Sequence, residues 1–222
     1  MARRKTILAI NEIYHVYNRG VEKRPIFLRS NDCLRFIELM NYYRFKNCPI
    51  KYSYFRRLSR EEKENIFFSL QKSSAKLVDI FAFCLMPNHV HILLKQLLDN
   101  GVSKFMGKIT NSFSHYFNTR QERIGHLFQG NFGASRIEDD EQLIHVSRYI
   151  HLNPVSSYII EINKLHTYKY SSYPEYLGQQ SGFCNTEEVL SHFKNKESYK
   201  MIIDDQADYA RKLENIKHLI LE

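Results

Sequence analysis

Two apolar runs joined by a proline turn constrain this chain more than any other feature. Val78-Asp79-Ile80-Phe81-Ala82-Phe83-Cys84-Leu85-Met86 has the length and composition of a buried strand. Pro87-Asn88 marks a turn, and His89-Val90-His91-Ile92-Leu93-Leu94-Lys95 reads as the returning strand. A sheet built around this hairpin is the starting point for everything else.

Upstream, Ile13-Tyr14-His15-Val16-Tyr17 reads as a first strand, stopped by Asn18-Arg19-Gly20. Asn31 or Asp32 is placed to cap a helix running to about Arg44. The lysine- and arginine-rich segment 47–77 predicts a short helix near Arg60–Gln71. After the hairpin, Val102, Phe105, Met106, Ile109, Phe113, Tyr116 and Phe117 recur at helical spacing and form a core-facing stripe. A short strand is expected at Ala134–Ile137, then a helix capped by Asp139 or Asp140 and ended at Asn153 by Pro154. Residues Tyr168–Gly178 read as loop, with further helices near Thr186–Phe193 and Lys196–Leu221. The order β-α-β-β-α-β-α predicts an α+β fold, a ferredoxin-like antiparallel sheet with helices on one side. The main domain is expected over residues 1–180, with a C-terminal helical extension over 181–222.

Composition narrows the function classes. The chain has 222 residues, and its 32 Lys plus Arg against 24 Asp plus Glu leave a net charge of +8. With a pI near 9.2, a polyanionic partner is favoured, most simply nucleic acid. A 43% hydrophobic content excludes a disordered chain. No run of about 18 uncharged apolar residues exists, which excludes a membrane span. Met1-Ala2-Arg3-Arg4-Lys5 is basic but no apolar secretion core follows it, so a cytoplasmic, nucleoid-associated protein is expected. Cys33, Cys48, Cys84 and Cys184 are scattered and read as reduced thiols.

His89 and His91 stand two apart in a strand, so both imidazoles project from one face while Val90 points the other way. Two neutral imidazoles side by side make a natural metal site. His145, Tyr149 and Asn153 share one helical face at i, i+4 and i+8. A phenol and an amide next to a metal pair would supply a nucleophile and an oxygen ligand. Lys104, Lys108, Arg120, Arg123, Arg136 and Arg148 are candidates for nucleic-acid backbone contacts, and the Arg3-Arg4-Lys5 arm for a groove or flanking strand.

The stretch Leu85-Met86-Pro87-Asn88-His89-Val90-His91-Ile92-Leu93-Leu94 resembles the HUH motif of IS200-like single-tyrosine transposases. Tyr149-Ile150-His151-Leu152-Asn153-Pro154 is similar to the tyrosine helix of the branch associated with repetitive extragenic palindromes. Tyr116-Phe117-Asn118 followed by Gly125-His126-Leu127-Phe128-Gln129-Gly130 resembles that branch's linking segment. Tyr170-Ser171-Ser172-Tyr173 with Tyr176-Leu177-Gly178 resembles its downstream signature. The resemblance spans roughly residues 12–180; the bulky segment 47–77 departs from the pattern. It implies an HUH endonuclease core in which His89, His91 and Asn153 hold a divalent cation, Mg²⁺ or Mn²⁺, and Tyr149 is the nucleophile. The implied partner is single-stranded or hairpin DNA, cleaved and rejoined through a 5′-phosphotyrosine, with monomer and homodimer both open. Two other readings follow from the same residues. One is a metal-dependent nuclease that activates water, with Tyr149 structural; the other is a non-catalytic nucleic-acid-binding sheet.

Overall fold

A computed structural model describes residues 6–205. The Arg3-Arg4-Lys5 arm and residues 206–221 of the last expected helix lie outside the described residues. The apolar hairpin forms as β2 (Val78–Met86) and β3 (His89–Gln96), in antiparallel register from Val78↔Gln96 to Met86↔His89. The first strand, β1 (Ile13–Arg19), lies between β3 and β4 (Gly133–Ile137), so the sheet order is β2-β3-β1-β4, antiparallel throughout. This is the ferredoxin-like order. β1 runs two residues past the expected stop because Asn18 and Arg19 still pair with Val90 and His89.

Helices cover both faces of the sheet, not one. Helices α1 (Ser30–Tyr43) and α4 (Gly101–Arg120) join Tyr14, Val16, Val90, Ile92 and Leu94 in one core. On the other face α5 (Asp140–Ser156) packs with Phe81, Ala82, Cys84, Met86, Leu93 and Ile137 in a second core. The reason lies in β2, where every residue but Asp79 is buried and neither face can be left to water. A bulge between Ile80 and Ala82 places both Phe81 and Ala82 toward α5.

β2 is an edge strand by order yet is buried like a central one. Residues Tyr168–Gly178, expected to be loop, cover its edge. Leu85 N donates to Tyr170 O (2.9 Å), and Ser172 N to Phe83 O (3.0 Å). Within that stretch α6 (Tyr173–Tyr176) buries both of its tyrosines. Between α1 and β2, residues 47–77 fold as α2 (Tyr52–Phe55) and α3 (Arg60–Ser73). A reciprocal cap between Ser59 and Glu62 starts α3.

The stripe on α4 is as expected at Val102, Phe105, Met106, Ile109, Phe113 and Phe117, all buried. Each is worth about 1.5–3 kcal/mol of burial, well above the roughly 1 kcal/mol that Gly107 costs mid-helix. Tyr116 departs from the stripe; it is half-buried and donates its hydroxyl to Asp32 Oδ1 (3.0 Å). Gly101 opens α4 where a Cβ would stand 2.3 Å from the Leu77 carbonyl oxygen, so no larger residue fits. Asp32 is not the α1 cap residue but sits in its first turn, its carboxylate accepting the Arg29 N–H (3.0 Å).

Asp139 caps α5 by accepting the Gln142 N–H (2.7 Å). Contrary to expectation, α5 passes through Pro154 to Ser156. The missing N–H falls in the last turn, where Ser157 N still reaches Asn153 O (3.0 Å) and Ile159 N reaches Pro154 O (2.8 Å). Burial of Pro154 and Val155 holds that turn in place. Where a helix near Thr186–Phe193 was expected, α7 covers only Glu187–Leu190, followed by helix over residues 196–205. Among the described residues no helix is long and apolar enough to cross a membrane. All four cysteines are free thiols.

His151 locks the second core. Its Nδ1 is 2.7 Å from the Tyr199 hydroxyl and its Nε2 is 2.8 Å from Ser172 Oγ. Full burial lowers its pKa from 6.5 to about 3. The unfolded chain therefore takes up a proton near pH 6.5 that the folded chain refuses until about pH 3. The contribution is complete above pH 6.5 and is lost as pH falls below it. By about pH 4.5 the loss from this group is expected to reach about 2–3 kcal/mol. Denaturant melts at pH 7.5 and 4.5 check this; His151→Gln, which cannot titrate, should show a smaller acid loss than wild type.

Candidate active site

The pleat of β3 sends His89 and His91 to the α5 face while Val90 is fully buried on the opposite face. Cross-strand register adds a second row. Tyr17 stands opposite His91, Arg19 opposite His89, and His15 opposite Leu93, all on the same face as the histidine pair. α5 crosses above and brings down Tyr149. Its ring lies edge-on, 5.5 Å from the His91 ring and 6.0 Å from the His15 ring. The His89 and His91 rings are 4.9 Å apart and perpendicular. Tyr17, Asn18, Arg19, His89, His91, Gln129, Asn131, Gly133 and Tyr149 line one open cleft of about 380 Å³.

The walls are fixed by backbone pairing. Gln129 N donates to Arg19 O (2.7 Å), holding the segment before β4 against the end of β1. A Cβ on Gly133 would stand 2.3 Å from the Tyr17 ring, so the tyrosine lies flat over bare backbone and remains 43% exposed. Arg19 carries positive charge beside His89. Burial, helped by that guanidinium, lowers the His89 pKa to about 4; burial alone does the same for His15. Both imidazoles are therefore neutral at pH 7, the form that ligates metal.

The His89 tautomer can be read from its neighbour. Asn88 Nδ2 donates to Lys23 O (2.9 Å), which leaves Asn88 Oδ1 as the acceptor for His89 Nδ1–H (2.5 Å). Nε2 of His89 then carries the lone pair. His91 likewise engages Nδ1, at 2.9 Å from His15 Nε2. This donor set fits a divalent cation bound through two Nε2 atoms. Among the described residues no group of three or more His, Cys, Asp or Glu is arranged to hold an ion. Oxygen donors from an amide, water or a phosphate would have to complete the coordination.

Of the residues singled out in the sequence, His89, His91 and Tyr149 come together in the cleft. Asn153 is buried, with Nδ2 donating to the Tyr149 carbonyl (2.8 Å), which leaves Oδ1 as its remaining acceptor. His145 is exposed on α5 and outside the cleft lining. The six basic candidates do not line the cleft. Arg120 is ion-paired to buried Asp32 on the α1/α4 side, and Arg136 is paired with Glu12. Lys104 donates to Asp99 O, Lys108 to Lys46 O and Arg123 to Asn118 Oδ1. Arg148 is half-buried, its Nε without a hydrogen-bond partner among the described residues.

The sequence marks His15 and Tyr17 only as strand residues and Arg19 only as part of the turn that follows. A signal was available: three polar or aromatic side chains at i, i+2 and i+4 give β1 a chemically active face opposite its buried Tyr14, Val16 and Asn18. Their meaning depended on β1 lying next to β3.

The family model described as "Transposase IS200 like" matches residues 41–153, a stretch that contains both histidines and ends at Asn153. Among curated proteins none matches the chain. A solved structure of a REP-associated tyrosine transposase bound to a REP hairpin shares the fold, with a TM-score of 0.55 at 13% identity. That similarity covers 81% of this chain and 87% of the other. With half of its length under the family model, and with the paired histidines and the helix tyrosine meeting in one cleft, the chain belongs to the IS200-like transposase family.

Proposed function

We propose that this transposase cleaves and rejoins single-stranded DNA beside hairpins, with Tyr149 as nucleophile and a divalent cation, Mg²⁺ or Mn²⁺, held by His89 and His91 with Asn153 completing the set. The observation that carries this reading is the placement of the Tyr149 ring 5.5 Å from His91, in a cleft that also presents Arg19. The solved transposase of like fold was captured with a hairpin, which supports hairpin DNA as the partner class here.

Bound at His89 and His91, the cation would polarise a phosphate oxygen and offset the charge that builds in the transition state. Tyr149 Oη attacks phosphorus and gives up its proton; the P–O3′ bond breaks and the departing oxygen is protonated to a 3′-OH. The product is a 5′-phosphotyrosine, whose bond energy a later 3′-OH reuses to reseal a strand while Tyr149 recovers its proton. Arg19 stands where it can steady the phosphate, and Gln129 and Asn131 offer amides to the sugar and bases.

The test is a denaturing gel with 3′-labelled single-stranded hairpin DNA and Mn²⁺, followed by peptide mapping of any adduct. Label in the Tyr149 peptide is the expected result. An adduct on Tyr17, which shares the cleft, or cleavage with no adduct would overturn the assignment.

A further inference from the structure

We propose that His15 is a positioning residue for His91, accepting the His91 Nδ1–H bond at its own Nε2 and so holding His91 in the tautomer that presents Nε2 to the cation. The inference rests on the reading of His89 and His91 as the metal pair.

One proton lies on the 2.9 Å contact between His15 Nε2 and His91 Nδ1. If His15 donates it, neutral His91 must carry its own proton on Nε2, and the ligating nitrogen is blocked. If His91 donates, Nε2 keeps its lone pair. Only the second arrangement serves a metal, and it is the one that Asn88 imposes on His89 through the same ring atom, Nδ1. The two imidazoles are thus treated alike: each has its Nδ1–H bound by a neighbour, which leaves the lone pair on Nε2. Such outer partners fix the ring orientation and basicity of ligating histidines, and their loss typically costs about 10–100-fold in metal affinity.

The geometry supports more than one fortuitous contact. The His15 and His91 rings stack with centroids 5.0 Å apart and planes 26° from parallel. β1 register places His15 opposite Leu93, diagonal to His91 on the same sheet face, so its reach to Nδ1 is set by strand pairing. His15 does not line the cleft itself, as expected of a residue that acts through another.

Mn²⁺ binding without DNA, followed by calorimetry and by loss of the free-ion electron spin resonance signal, tests the inference. His15→Phe keeps the ring and removes the acceptor; about 10–100-fold weaker binding is expected, with thermal midpoint unchanged. His15→Gln, which restores an oxygen acceptor, should recover most of the affinity. In metal-free wild type, the ¹⁵N spectrum of His91 should show the Nδ1-protonated tautomer, and His15→Phe should shift it toward Nε2–H. Wild-type affinity and an unchanged His91 tautomer in His15→Phe, while His89→Ala abolishes binding, would overturn this role and leave the metal pair standing. Unchanged binding in His89→Ala would instead overturn the pair. An absorption-edge signature of three imidazoles on the ion would make His15 a ligand and sink the positioning role. The wild-type tautomer measurement decides the matter even if a variant folds poorly: an Nε2-protonated His91 in metal-free protein excludes it.

Discussion

Tyr149→Phe is expected to abolish the protein–DNA adduct and to lower strand cleavage by at least about 10³-fold, because the phenylalanine ring carries no oxygen with which to attack phosphorus. The substitution removes the hydroxyl and keeps the ring. The ring stays beside His91 and His15, and the Tyr149 carbonyl still accepts the Asn153 amide. Stability should therefore move by less than about 1 kcal/mol, and DNA affinity by no more than a few fold. Tyr17→Phe is the matched control from the same cleft, and Tyr116→Phe from the other side of the sheet, where the hydroxyl serves Asp32. Both should still form the adduct. If Tyr149→Phe cleaves at the wild-type rate with no adduct in either protein, the nucleophile is water and the chain is a nuclease.

Arg120→Ala is expected to be the most destabilising single substitution of a charged residue among those named in the sequence, costing about 3–4 kcal/mol. Asp32 is fully buried, whereas the Arg120 side chain is 23% exposed. The carboxylate accepts both terminal nitrogens of Arg120, the Tyr116 hydroxyl and the Arg29 N–H. Without the guanidinium, a buried charge keeps only two of its partners, and water has little access to replace the others. For a domain of this size the thermal midpoint should drop by roughly 10 °C. Arg120→Lys should recover only part of this, since an ammonium cannot bind the carboxylate through two parallel bonds. Arg123→Ala, which loses a long 3.4 Å bond to Asn118 and a guanidinium 5.9 Å from the Phe117 ring centre, should stay within about 1 kcal/mol. Calorimetric melts separate the cases. DNA binding per folded molecule should be unchanged by Arg120→Ala, which distinguishes a fold-holding arginine from a phosphate contact.

Arg120 and His89 differ in how far along the chain their partners lie. His89-Val90-His91 declares itself locally: an i, i+2 pair in an apolar strand shares a face whatever the strand pairs with. The spacing of Tyr149 and Asn153 on α5 is local in the same way, and so is the stripe on α4. Arg120 looked like any other cation on a helix because its partner lies 88 residues away, and no periodicity encodes that distance. The same holds for Tyr168–Gly178. Polar turn residues suggested loop, and only the exposed edge of β2 gave them a strand to pair with.

By itself the sequence determined the four strands, helices α1, α3, α4 and α5, the α+β class, the family and the two chemical groups that meet in the cleft, because strand and helix periods act over a few residues. Tertiary structure alone decided that α5 crosses the face opposite α1 and α4, since an apolar β2 needs cover on both sides. It also decided that β1 lies between β3 and β4, which carries His15, Tyr17 and Arg19 to the histidine pair. Neighbour choice in a sheet is settled by burying whole faces at once, and that is a property of the folded chain rather than of any window within it.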